Sequence, residues 1–189
     1  LNVAADAFVN SSITGANGGL IIVSADDPSM HSSQNEQDSR FFGKFSFMPI
    51  LEPSNQQEAY DMVRYGFELS EKLAIPVLLR ITTRLAHSRA GVSREEILTQ
   101  NDVKLPENST QFVLLPSIAR KQYRDLLAKQ EPLENEAKER GFNAYIDGAD
   151  KSKGILCCGL AYNYLMENFE DRNCPHPILK VGQYPIPTD

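Results

Sequence analysis

Met48–Thr82 reads MPILEPSNQQEAYDMVRYGFELSEKLAIPVLLRIT, and its pattern decides the fold class. Met48-Pro49-Ile50-Leu51 is a short apolar run without alternation, as suits a strand covered on both faces. Ser54 reads as a helix N-cap, Gln57 completes a capping box three residues on, and Glu58 adds negative charge to the first turn. Ala59, Met62, Val63, Gly66, Phe67, Ser70, Leu73 and Ala74 then recur at helical spacing, which predicts a helix over 55–73. Ile75-Pro76-Val77-Leu78-Leu79-Arg80-Ile81-Thr82 follows at once as a second buried strand. Strand, helix and strand with tight joints form a βαβ unit, so the fold class is α/β with a parallel sheet flanked by helices.

Upstream, Ala16-Asn17-Gly18-Gly19 marks a turn that feeds the apolar strand Leu20-Ile21-Ile22-Val23-Ser24, and Val3 to Ile13 carries Ala4, Ala7, Phe8 and Ser11 at helical spacing. That strand exits into a long polar loop, residues 25–40, and strand exits are where α/β folds place function. Arg40 to Phe47 is rich in Phe and predicts a short helix. Residues 84–110 lack sustained periodicity and collect Gly91, Asn101, Pro106, Asn108 and Ser109, as a linker does. Pro116 opens a charged helix running to Arg140 and broken near Pro132. A strand over 153–159, a helix over 160–169 and a strand over 178–181 follow. The division expected is a first α/β domain over 1–90, a linker and helical connection over 91–140, and the opening of a second α/β domain over 141–189.

The chain has 189 residues, 41% of them hydrophobic and 23% charged, the composition of an ordinary globular protein. A net charge of −6 offers no electrostatic footprint for nucleic acid or an anionic membrane. The longest apolar runs are strand-sized, far below the roughly 20 residues that cross a bilayer. Three cysteines, Cys157, Cys158 and Cys174, close neither a disulfide framework nor a four-ligand metal site, and point to a reduced, cytoplasmic setting. The chain opens at Leu1 without a basic stretch before an apolar run, so it reads as an excerpt with no signal peptide.

Asp26, Asp27 and His31 carry metal-ligand chemistry in one loop, but Asp-Asp-Pro is ordinary turn chemistry and the metal reading is disfavoured. His31-Ser32-Ser33-Gln34-Asn35-Glu36-Gln37-Asp38-Ser39-Arg40 is ten consecutive hydrogen-bonding side chains; it suits either a loop lining a polar ligand site or a solvated surface loop. Arg80, Arg84, His87 and Arg89 can clamp a carboxylate or phosphate, or pair the acidic excess, and the second reading is favoured. Cys157 and Cys158, adjacent in a strand, point to opposite faces and cannot chelate together. No Walker loop, nucleophile elbow, zincin motif or complete dinucleotide fingerprint is present.

Leu1-Asn2-Val3-Ala4-Ala5-Asp6, then Gly18 to Pro28, His31 to Arg40, Pro49 to Ser54, Glu58-Ala59-Tyr60, Pro76 to Arg80, Thr83-Arg84 and His87-Ser88 closely resemble the α subunits of indolepyruvate ferredoxin oxidoreductases, of the 2-oxoacid:ferredoxin oxidoreductase superfamily. Pro116, Ala119-Arg120, the strand after Gly154, Tyr162 and Leu179-Lys180-Val181-Gly182 continue the likeness. The resemblance implies the later part of a pyrimidine-binding-type domain of a thiamin diphosphate enzyme, then the start of a transketolase-C-like domain. It implies oxidative decarboxylation of an aryl pyruvate to an acyl-CoA, with thiamin diphosphate, Mg²⁺ and [4Fe-4S] clusters, ferredoxin as acceptor and a β subunit as partner. The family's activating glutamate, its Gly-Asp-Gly motif for Mg²⁺ and diphosphate, and its cluster cysteines are not in this sequence. The expectation is therefore a fragment that holds no metal, binds no thiamin diphosphate and has no turnover alone, with no catalytic residue assigned. By analogy, His31, Ser32, Ser33, Gln34 and Glu36 would face the substrate or cofactor cleft while Asp38 and Arg40 brace the loop, with Arg84 and His87 at the same sheet edge. The alternative function is a noncatalytic α/β domain for subunit contact or small-metabolite binding.

Overall fold

The computed structural model describes residues 2–102 and 104–187. Its elements are α1 (Ala5–Thr14), β1 (Ile21–Asp26), α2 (Arg40–Phe45), β2 (Ile50–Leu51), α3 (Gln56–Leu73), β3 (Val77–Thr82), α4 (Thr83–His87), α5 (Pro116–Ala128), α6 (Gln130–Glu139), β4 (Ala144–Ile146), β5 (Ile155–Cys158), α7 (Ala161–Met166), β6 (Ile178–Val181) and β7 (Gln183–Tyr184), with 3-10 turns at Asn2–Ala4 and Glu170–Arg172. The class is α/β, as expected. Strands β1, β3 and β2 are parallel neighbours, and β7 adds antiparallel to β2; a second sheet, ordered β4-β6-β5, pairs β5 parallel and β4 antiparallel to β6.

In the first sheet β2 and most of β3 are buried on both faces because two apolar sets alternate along them, while Val23 of the edge strand β1 is exposed. Leu51, Val77 and Leu79 pack with Met62, Leu69 and Ile75 and with Leu126 and Leu133 of the α5–α6 pair. Ile50 and Leu78 face the other way, against Phe8 and Met48, with Ile22 and Phe42 alongside. Cys157, Met166, Cys174 and Ile178 form a separate small core under the second sheet. No helix among the described residues is long and apolar enough to cross a membrane.

Several local readings need correction. The N-cap of α3 is Asn55, not Ser54: the Asn55 side chain accepts from the Glu58 N–H at 2.9 Å, and the Glu58 carboxylate reaches back to the N–H and Oγ of Ser54, each at 2.8 Å. The capping box thus closes one residue later than expected, and Gln57 instead bonds Asp61 and the Ser93 backbone. The buried face of α3 runs through Met62, Tyr65, Gly66, Leu69 and Ser70, while Val63 and Phe67 are exposed. Tyr65 belongs inside because its hydroxyl meets the Gln183 amide at 3.0 Å. The break between α5 and α6 falls at Lys129 rather than Pro132, which sits in the first turn of α6, where a missing N–H costs no intrahelical bond.

Strands β4 and β7 have no counterpart in the sequence reading. Only Gly182 separates β6 from β7, so consecutive strands enter different sheets. Asn143 fixes this crossover, its Oδ1 accepting from the N–H groups of Gly182 and Gln183 and its Nδ2 donating to the Gln183 carbonyl, each at 2.9 Å. Lys180 of β6 pairs with Glu58, and Asn163 of α7 donates to the Ser54 carbonyl, fastening the second sheet to the start of α3.

Candidate functional site

Parallel register brings three charged residues to one rim. Ile22, Ile50 and Leu78 share a face of the first sheet, and two residues further along each chain segment Ser24, Glu52 and Arg80 take that same face. Asp26 lies two residues beyond Ser24. The Arg80 guanidinium donates from Nε to Asp26 Oδ2 at 2.6 Å and from Nη1 to Glu52 Oε1. Asp26 also accepts from the Ser39 N–H and Oγ, at 2.8 and 3.0 Å. Arg40 grips Asp38 with two bonds of 2.8 and 2.6 Å and lies 3.7 Å from Glu52, whose Oε2 accepts from Tyr184 at 2.9 Å. Asp38 is held below the usual carboxylate range: burial opposes this, and the Arg40 bonds and the Arg80 charge outweigh it. Burial, with the Glu52 charge beside it, pushes the Tyr184 phenol well above its usual value.

This network floors a cleft of ≈ 920 Å³ at the carboxyl ends of β1 and β3, roofed by β5 and α7. Such strand exits are the usual ligand sites of open α/β sheets. Of the sequence candidates, His31, Arg40, Arg84 and His87 line it. Ser32, Ser33, Gln34, Glu36 and Asp38 do not. The N–H groups of Ser32 and Ser33 turn back to Asp27, Glu36 accepts from the Ser29 N–H at 2.9 Å, and Gln34 is exposed. Asp38, outside the cleft lining, accepts both Arg40 guanidinium bonds.

Sequence reasoning passed over Glu52, Thr83 and the opposite wall, Leu156, Leu160 and Tyr164. Glu52 carries a signal: it stands directly after a buried strand, in register with Arg80. The wall carries none, because it joins the cleft only through tertiary packing. The floor guanidiniums are taken up by carboxylates. Arg84 is not: among the described residues it makes no ion pair and lies over the Tyr164 ring, 5.8 Å from its centre. The cleft therefore sets one uncommitted cation against an apolar and aromatic wall. Among the described residues no group of three or more His, Cys, Asp or Glu is placed to hold a metal ion, and the three cysteines are free thiols.

No protein-family model matches the chain. Indolepyruvate oxidoreductase subunit IorA of Methanothermobacter marburgensis is 42% identical to it over 193 residues, covering 99% of this chain and 31% of that protein. The subunits of that name from Archaeoglobus fulgidus and Thermococcus kodakarensis are 42% and 44% identical, each over 99% of this chain and 30% of their own length. The chain thus spans about 30% of the length of these curated relatives. Over 99% of its residues the chain is homologous to one segment of the indolepyruvate oxidoreductase subunit IorA family.

Proposed function

We propose that the chain serves in the α subunit of an indolepyruvate oxidoreductase and that its cleft receives the aryl 2-oxoacid. The carrying observation is Arg84, a guanidinium with no carboxylate partner among the described residues, which lines one cleft with Leu156, Leu160 and Tyr164. An aryl pyruvate has the matching halves. Its carboxylate suits a planar guanidinium and its ring suits an apolar wall with an aromatic edge. His31 and His87 at the rim add donors toward the oxoacid oxygens, and the Arg80 and Arg40 network keeps the floor in place.

In this reading the whole protein uses thiamin diphosphate with Mg²⁺, passes electrons through [4Fe-4S] clusters to ferredoxin, delivers the acyl group to coenzyme A and works with a β subunit. Thiamin diphosphate, when bound, supplies the stabilised carbanion. The residues here do not fit Mg²⁺ or a cluster: among the described residues no group of three or more His, Cys, Asp or Glu is placed to hold a metal ion, and the sequence has three cysteines where a cluster takes four. What this chain contributes is binding and orientation of the substrate.

The test is steady-state reduction of ferredoxin by indolepyruvate with the intact two-subunit enzyme. Turnover that prefers indolepyruvate over pyruvate supports the reading; absence of turnover with every aryl pyruvate overturns it in favour of a noncatalytic binding domain.

A further inference from the structure

We propose that Asp27 is a positioning residue of the cleft, joining through one buried carboxylate the two segments that carry His31 and Arg84; this rests on the cleft being the oxoacid site. Asp27 closes the end of β1 and is only 5% exposed. Its Oδ2 accepts from the N–H groups of Ser32 and Ser33 at 2.7 and 2.8 Å, with Ser32 Oγ at 3.4 Å, and its Oδ1 accepts from Thr83 Oγ1 at 2.8 Å.

These bonds join two separate stretches of chain. Residues 28–33 carry His31 into the cleft, and Thr83 is the first residue of α4, which carries Arg84 and His87. The loop reaches back because Ser29 and Met30 both take positive φ, 66° and 54°, and the Met30 N–H donates to the Asp27 carbonyl at 3.2 Å. Neither residue is glycine, so this turn is one that L side chains rarely adopt, and the carboxylate is the group that gathers the N–H donors beyond it. No cation among the described residues pairs with Asp27. It sets the spacing between His31 and Arg84 without competing for the Arg84 charge.

Losing the clamp should therefore weaken substrate binding more than the chemical step. In the intact two-subunit enzyme, Asp27→Ala is expected to raise the KM for indolepyruvate about tenfold with kcat within about twofold, and Asp27→Asn, which keeps one acceptor oxygen, to raise it less. Hydrogen exchange at Ser32 and Ser33 should accelerate in both variants. Leu133→Ala, a core truncation outside the cleft lining, is the control that lowers stability while leaving KM in place. Should Asp27→Ala fail to fold, Thr83→Val removes the Oδ1 donor, together with the Thr83 hydroxyl contact to the Asp26 carbonyl at 3.0 Å, and is expected to raise KM in the same direction.

If the wild type oxidises indolepyruvate and neither KM nor exchange changes, the inference falls. Faster exchange with unchanged KM also sinks it as a cleft-positioning role. If the wild type turns over no aryl pyruvate, the functional reading falls instead, and exchange at Ser32 and Ser33 still decides whether Asp27 holds the loop.

Discussion

Arg80 on the central strand β3 donates directly to Glu52 beyond β2, with 5% and 4% of their side-chain surfaces exposed, while its Nε holds Asp26 of β1. One guanidinium thus bridges the carboxyl ends of three parallel segments. Removing it leaves the buried Asp26 carboxylate without a cationic partner among the described residues and Glu52 with Arg40 at 3.7 Å. Arg80→Met is expected to destabilise the protein by about 3–5 kcal/mol, as breaking a buried pair from one side does. Arg80→Lys should cost less but still measurably, because a compact ammonium does not span both acids. Equilibrium denaturation checks both, and an unchanged midpoint for Arg80→Met would show that the network adds no stability.

Arg84 is expected to separate binding from stability. Its guanidinium makes no ion pair among the described residues, so truncation breaks no buried network. Arg84→Ala should leave the unfolding midpoint nearly unchanged while raising the KM for indolepyruvate roughly 10- to 100-fold, the worth of about 1.5–3 kcal/mol for a hydrogen bond to a charged group. Arg84→Lys should recover part of that loss. Equal KM values for wild type and Arg84→Ala would remove this residue from the site.

The apolar wall carries a different prediction, about selectivity. Tyr164 stacks near Arg84 and lines the cleft with Leu156 and Leu160. Tyr164→Ala should reduce kcat/KM for indolepyruvate against pyruvate by about 2- to 15-fold, the range set by an aromatic contact of about 0.5–1.5 kcal/mol beyond its area. Comparing the two substrates in one preparation checks it, and a parallel decline in both would mark Tyr164 as a packing residue.

How much of this was legible differs by element. β1, α3 and β3 stand out in sequence because continuous apolar runs and a helical stripe each follow from local rules. β4 and β7 do not: they are three and two residues long and exist only because β6 and β2 offer them an edge. Tyr65 is absent from the stripe read in sequence for a related reason, since its partner Gln183 lies 118 residues away. The polar run 31–40 drew attention to the exit of β1. Its anchors, Asp27, Glu52 and Thr83, lie outside it, and no periodicity marks a carboxylate whose partners come from other strands. The resemblance implies what patterning could not, a substrate class. His31, Arg84 and His87 line the cleft, and Gln34 is not among its lining residues.

Acid sensitivity should be written into the same loop. The Ser32 N–H above all, with Thr83 and the Ser33 N–H, holds the Asp27 carboxyl well below the usual carboxylate range, against the opposing effect of burial. Its folded value therefore lies below its unfolded one, and the unfolded chain binds the extra proton first. The stabilisation it gives is fully present above the ordinary carboxylate range and is lost as pH falls through that range toward the folded value. Asp38 acts in the same direction through Arg40. Denaturant unfolding is expected to show lower stability at pH 3 than at pH 6, with a smaller difference in Asp27→Asn because the amide does not titrate. An identical pH dependence in wild type and Asp27→Asn would mean that this carboxylate contributes nothing to the acid limb, and that the Ser32 and Ser33 donors are satisfied as well by water.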